Sequence, residues 1–313
     1  MPGFEIAGRV VPPGSREMFE LPVARLATQN MVQLPVAVLH GVSPGPTLFV
    51  TAAVHGDELN GTEVARLLIH DVRPEVLSGT LIVLPIVNVI GFIQGDRYLP
   101  DRRDLNRHFP GSARGSLASQ LAYLVTKEVV SRSTHGIDLH GGSLHRTNYP
   151  QVRGDLRKPA VEALGAAFGA PVLLHAPHRG GSLRSAAAKA GIPVVVYEAG
   201  EPMRMEHDAI RVGLDGVKRV LGQLGMIEDP PATAGSLVCR ESTWHRAPQS
   251  GIARIFVRPG ERVQRGTFLA EIGDAFGIRA AVAKSRVDGV VVGLSRNPVV
   301  SRGDAIVHVA EVD

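Results

Sequence analysis

Residues 47–61 read TLFVTAAVHGDELNG: an apolar, β-rich run, then a histidine, then an acid three positions on. The run suits a buried strand, and the stretch TEVARLLIH that follows at 62–70 has helical periodicity. A strand that turns directly into a helix is the building unit of an α/β fold, and such folds place ligands at the carboxyl ends of their strands. His55 and Glu58 stand at this turn. Residues three apart on a nascent helix share a face, so the two side chains would converge on one point. By itself the pair is weak, because a hydrogen-bonded turn histidine and a first-turn acid favoured by the helix dipole would look the same.

Outward from this stretch the same alternation continues. TLIVLPIV, GIDLH, PVLLH and IPVVVYE read as strands, and helical patterns lie near 58–70, 116–132, 157–168, 182–190 and 206–225. Strands apolar throughout predict a sheet covered on both faces and largely parallel. Functional residues should then sit just past the strands, where His55, Asn88, His140 and Glu198 are found. MIEDPPATAG (226–235) interrupts the pattern as a linker would, which divides the chain into a catalytic domain, 1–230, and a second domain, 236–313. The second part contains two similar units, SGIARIFVRPGERVQRGTFLAEI and DGVVVGLSRNPVVSRGDAIVHVA, each a strand, a Pro-bearing turn, an Arg-Gly turn and a strand. This pseudo-repeat resembles the small β-barrel of biotinyl and lipoyl carriers. Its one lysine, Lys284, lacks the flanking residues of a carrier lysine, so a barrel without a swinging arm is expected.

Composition narrows the function classes. The 313 residues carry a formal charge of +4, from 34 Lys+Arg against 30 Asp+Glu, with only 4% aromatics. That balance, without a basic run, argues against nucleic acid as a partner and fits a small anionic substrate. No apolar run is long enough for a membrane span, and the first residues lack signal-peptide character, so a cytoplasmic location is expected. The lone Cys239 excludes a cysteine-rich metal cluster, leaving His and carboxylate as ligands among twelve histidines.

Catalytic zinc commonly takes two histidines and a carboxylate and keeps a position for water. His140, at the end of GIDLH and followed by two glycines, would complete such a site with His55 and Glu58, and Asp138 would back it if the strand stays regular. The loop GDRYLPDRRDLNRHFPG (95–111) sets Asn106 beside Arg107, an amide and a guanidinium able to clamp a carboxylate. Glu198, closing the apolar strand VVVYE, is the candidate general base that would take a proton from water and pass it to a leaving amine, with Glu201 as its rival.

In this order the pieces resemble the succinylglutamate desuccinylase/aspartoacylase family, a branch of the zinc carboxypeptidase-like hydrolases. The family's H-x-x-E is matched by His55 and Glu58, its D-L-N-R-x-F by Asp104 to Phe109, its D-L-H by Asp138 to His140 and its E-x-G by Glu198 to Gly200. The resemblance implies an α/β/α layered catalytic domain with a mixed, largely parallel sheet and a small C-terminal all-β domain. It further implies one zinc ion on His55, Glu58 and His140, Glu198 as base, and Asn106 and Arg107 on the substrate carboxylate. An arginine upstream of D-L-N-R would polarise the scissile carbonyl; Arg97 is the first choice and Arg103 the alternative, with Arg103 otherwise a substrate-binding candidate. Arg153 and Arg179 are candidates for a second acidic group, and the family's association into homo-oligomers is compatible with the chain. Aspartoacylase itself is expected to use a C-terminal tyrosine, and no tyrosine follows Tyr197, which sets N-acetylaspartate aside as the expected substrate. The implied activity is removal of the acyl group from a small anionic N-acyl amino acid; a metallocarboxypeptidase and a non-catalytic ligand-binding protein of the same fold are the alternatives.

Overall fold

The structure, a computed structural model, describes residues 1–232, 234–278 and 280–312. Its frame is one twisted sheet of thirteen strands. From one edge the central order is Ser15–Arg25, Met31–His40, Ser78–Leu84, Ser43–Ala52, His135–His140, Val194–Gly200 and Arg146–Gly154. The neighbours Ser78–Leu84, Ser43–Ala52, His135–His140 and Val194–Gly200 are mutually parallel, and the flanking strands run antiparallel. The sheet is therefore mixed, with a parallel centre.

Period-two alternation explains why these strands read as continuous apolar runs. Leu48, Val50 and Ala52 pack into one layer with the helices Asn60–Asp71, Pro159–Phe168 and His207–Gln223. Phe49, Ile82, Leu84 and Val194 point the other way, into a layer with Leu117–Glu128 and Leu183–Lys189. Both faces are covered, so both sets must be apolar. The helices start and stop where local chemistry dictates: Ser116 and Ser182 cap through their side chains, and the Pro159 helix ends at Gly169 in the left-handed region (φ 67°).

Several strands went unread in the sequence, and three of them show why. Ser15–Arg25 alternates polar and apolar residues because it forms a sheet edge, Met31–His40 opens with a similar alternation, and Arg146–Gly154 carries Asn148 and two arginines because those side chains line a cavity. The helix after Glu58 begins at Asn60, so His55 and Glu58 are joined by a turn, with the Glu58 amide donating to the His55 carbonyl at 3.2 Å.

The two C-terminal units interlock. Gly251–Ile255 and Phe268–Gly273 pair in a four-stranded sheet, and Gly289–Ser295 pairs with Ala305–Glu311 in the large one. Each unit's short middle strand crosses to the other: Arg262–Val263 pairs with Gly289–Ser295, and Val299–Val300 with Gly251–Ile255. Val263, Leu269, Ile272, Val291, Val300 and Ile306 fill a core between them. The sheet is continuous across residues 226–235: Leu237–Cys239 adds in parallel to Val172–His175, and Gly289–Ser295 adds to Arg146–Gly154. Among the described residues no helix is long and apolar enough to cross a membrane.

Gly136 is the second residue of the strand that carries Asp138 and His140, and a Cβ there would stand 2.1 Å from the Phe49 ring. Gly136→Ala should lower stability by about 1–3 kcal/mol through overpacking, read as a lower urea midpoint. An unchanged midpoint would show that the Phe49 ring relaxes freely.

Candidate metal centre and its cavity

Register decides which side chains meet. On adjacent parallel strands Thr51 stands opposite Asp138, and His140 opposite Glu198. Opposed residues point to the same face, and Asp138 and His140, two apart, share that face as well. The strand ends thus deliver a hydroxyl, two carboxylates and an imidazole to one place.

The turn at 55–58 supplies the rest. Glu58 Oε1 lies 2.8 Å from His55 Nδ1, and Oε2 lies 2.7 Å from His140 Nδ1. The three ligand atoms His55, Glu58 and His140 can offer lie within 4.8 Å of one another, and all three residues are buried, at 3–4% exposure. Each imidazole presents Nδ1 to this point while a carboxylate holds its other nitrogen: Asp138 at 2.9 Å for His140 and Asp104 at 3.2 Å for His55. Thr51 donates to Asp138 at 2.7 Å and fixes it in turn. Carboxylate-held histidines beside a third anionic ligand are the arrangement of a metal centre, so the residues present fit a divalent cation.

Electrostatics agree with the geometry. Burial pushes Glu58 up, but His55 and His140 outweigh it and hold the carboxyl far below the usual range. Burial likewise pushes both imidazoles down, and the facing carboxylates reverse this: Asp138 and Glu58 raise His140 well above its ordinary value, and Glu58 with Asp104 raises His55.

The long loop closes over this cluster. Asn88 caps the helix Val89–Gln94 by accepting from the Gly91 amide, and its Nδ2 donates to the Arg97 carbonyl at 3.3 Å. Arg97 then reaches Asp104 at 3.0 Å and stands 3.6 Å from Glu58. Asn106 and Arg107 line the cavity beside it. Asn106 Oδ1 accepts from the Leu183 amide at 2.9 Å, so its amide nitrogen remains as the donor for a ligand. Arg103 is not brought here: it is half exposed and faces Asp101 at 3.5 Å.

Glu198 enters the same cavity, of 510 Å³, from the strand next to His140. The strand that delivers it is apolar, but its carboxylate is met by polar groups. Asn148 donates to it at 2.8 Å, and Arg153 stands 3.5 Å away. Glu201 is held by Arg296 at 2.6 Å instead. Arg179 lines the cavity too, as do Arg146 and Arg184, whose surroundings the sequence did not reveal. His175 is a wall residue whose Nδ1 accepts from the Leu156 amide, and His108 is turned onto the Asp104 carbonyl. Two contributions were missed as functional residues. Asp104 was placed in the D-L-N-R-x-F match but given no role, and Ser242, Trp244 and His308, which carry no motif, reach the cavity from the C-terminal strands.

An α/β protein with a buried His–Glu–His cluster at the carboxyl ends of parallel strands, faced by a carboxylate and ringed by arginines, has the makings of a metallohydrolase. Residues 44–224, more than half of the chain, match the model of the succinylglutamate desuccinylase/aspartoacylase catalytic domain, and the chain belongs to that family. It is similar to an N-alpha-acetyl-L-2,4-diaminobutyric acid deacetylase of Halomonas elongata, 27% identical over 90% of this chain and 86% of that one. Among solved structures it is similar to a succinylglutamate desuccinylase/aspartoacylase of Rhodobacter sphaeroides (29% identical, 95% of each chain, TM-score 0.87). The ectoine utilization protein EutE (DoeB) of Ruegeria pomeroyi shares the fold (22% identical, 97% of each chain, TM-score 0.86).

Burial in the cavity wall, with Arg153, His245 and Arg146 nearby, pushes His308 down to about 3. In the unfolded chain the same imidazole takes its proton near pH 6.5. Between those values the unfolded chain binds more protons, so stability falls as pH falls from about 6.5 to 3, by up to about 1.4 kcal/mol per pH unit. His308→Phe should make the acid limb of the stability profile shallower in that window, and identical limbs in urea titrations would contradict the burial of a neutral imidazole.

Proposed function

We propose that the chain is a zinc-dependent amidohydrolase that removes the acyl group from a small anionic N-acyl amino acid or related N-acyl compound. The observation that carries this reading is the buried His55–Glu58–His140 cluster with Glu198 paired to His140 on the adjacent strand and lining the same cavity. The named activity of the Halomonas elongata relative, a deacetylase, supports a linear amide as the bond cleaved.

His55, Glu58 and His140 would hold the ion, which when bound supplies Lewis acidity toward the acyl oxygen and toward water. Glu198 takes the proton from the attacking water as oxygen adds to the acyl carbon, and returns it to the nitrogen as the C–N bond breaks, leaving a carboxylate and an amine. Asn148 and Arg153 hold the Glu198 carboxylate in place. Arg97 answers the negative charge that grows on the acyl oxygen; its nearness to Glu58 and the outward position of Arg103 support this assignment. The Asn106 amide nitrogen and Arg107 bind the substrate carboxylate. Glu201 is the weaker choice for the base because Arg296 occupies it.

Residues 1–230 form the catalytic unit in this reading, and 236–313 a β-unit that walls one side of the cavity. That wall, with a cavity volume of 510 Å³, supports small substrates over the peptides a carboxypeptidase would trim.

Release of primary amine from N-acetyl, N-succinyl and N-formyl amino acids by zinc-loaded protein, lost on chelation, is the expected result; silence across the panel with zinc bound would sink the reading. Glu198→Gln should lower kcat by about 10²–10⁴-fold while bound metal, measured by atomic absorption, stays the same.

A further inference from the structure

One row of residues crosses the sheet from the catalytic strands into the C-terminal ones. Gly200, Asn148, Gly293, His308 and Trp244 stand opposite one another on successive strands. Residues so opposed face the same side. Asn148, His308 and Trp244 accordingly line one cavity, and Gly293 between them leaves it open: a Cβ there would stand 3.1 Å from Asn148 Oδ1 and 3.5 Å from the His308 Cβ.

His308 is the anomaly in this row. It is 5% exposed, its Nδ1 is buried without a hydrogen-bond partner, and its ring makes no hydrogen bond to any described residue. A neutral imidazole carries a donor and an acceptor, and buried polar atoms are almost always satisfied. Packing does not account for the choice of histidine. Trp244 stacks on the ring with centroids 4.5 Å apart and planes 6° from parallel, and a phenylalanine would serve that contact equally well. The stack does fix how the ring is presented.

The charge of the cavity says what such a ring would meet. Arg97, Arg107, Arg146, Arg153, Arg179 and Arg184 line it, against the acids Glu58, Asp138 and Glu198. Those acids are taken by the metal cluster and the base. Arg146 and Arg153 lie close enough to His308 to disfavour its protonation, and the Arg146 guanidinium stands 5.4 Å from the Trp244 ring. An ammonium group on a substrate would find no free counter-charge among the described residues, whereas an anionic oxygen would find two guanidiniums and a ring N–H.

We propose that His308, presented by Trp244 and flanked by Arg146 and Arg153, is a specificity-determining residue that hydrogen-bonds a carboxylate of the substrate additional to the one held by Asn106 and Arg107. The inference rests on the hydrolase reading for its substrate and on the cavity alone for its ligand chemistry. It separates this chain from a deacylase of N-acyl diamino acids, whose side chain ends in a cation.

Succinate and butyrate, four-carbon acids with two carboxylates and one, are the probes. Calorimetric titration of the zinc-loaded protein should give succinate about tenfold tighter binding than butyrate, the scale of one hydrogen bond to a charged group. His308→Phe should remove that advantage and leave butyrate binding as it was. His308→Gln, which keeps a polar amide, should retain part of it and guards against a folding defect in the first variant. The ¹⁵N shifts of the His308 ring should move with succinate and not with butyrate. Unchanged succinate binding in both variants, or an unmoved ring signal, overturns the proposal. In turnover, His308→Phe should raise KM for N-succinyl substrates relative to N-acetyl ones, and an unchanged ratio overturns it equally. A protein that binds succinate through His308 but releases no amine from any substrate would refute the hydrolase reading and leave this subsite standing.

Discussion

A carboxylate buried at 3% exposure between two imidazoles is tolerable only if every partner is in place, and the rest of the molecule is arranged to keep them there. Glu58 meets both histidines; each histidine is backed by an aspartate; Asp138 is held by Thr51 and Asp104 by Arg97. These contacts come from two neighbouring parallel strands, one turn and one loop, so their convergence depends on strand register more than on local sequence. A slip of one residue would send Asp138 and His140 to the opposite face. The apolar layers on both sides of the sheet forbid that slip, because it would bury Asp138 and His140 in the layer that now holds Ile137 and Leu139.

The same register couples the cluster to its surroundings. Glu198 lies opposite His140, and the next strand, Arg146–Gly154, brings Asn148 and Arg153 against Glu198. Beyond it the C-terminal strands continue the sheet and turn Trp244 and His308 toward the same space. One face of one sheet therefore holds the cluster, the opposing carboxylate and a wall built from residues more than a hundred positions away.

Much of this was legible in the chain itself. Strands with both faces covered announce themselves as apolar runs, and the histidines and acids at their ends follow from where such sheets bind ligands. His55, Glu58 and His140 could be grouped because zinc chemistry asks for that donor set. Arg146–Gly154 could not be read, since a strand that lines a cavity is polar and loses the hydrophobic signature of a strand. Asp104 was hidden for a related reason: among four arginines, a paired acid looks like ordinary surface charge, and only the fold shows that its partner is His55. Trp244 and His308 carry no motif, and their place in the cavity follows from strand pairing over long sequence distances.

The interlocked C-terminal units have a consequence for the chain's behaviour in solution. Strand Arg146–Gly154 is paired along one side by two different neighbours, Gly289–Ser295 over its first residues and Val172–His175 over its last, and Val172–His175 is covered in turn by Leu237–Cys239. Without the C-terminal segment both would present bare N–H and C=O groups, an invitation to pair with another chain. Because each unit lends its short middle strand to the other, neither unit can come away alone. The segment thus acts as a locked seal on the sheet's vulnerable margin, and a chain ending near residue 230 would be prone to aggregate before its buried His–Glu–His cluster ever came apart.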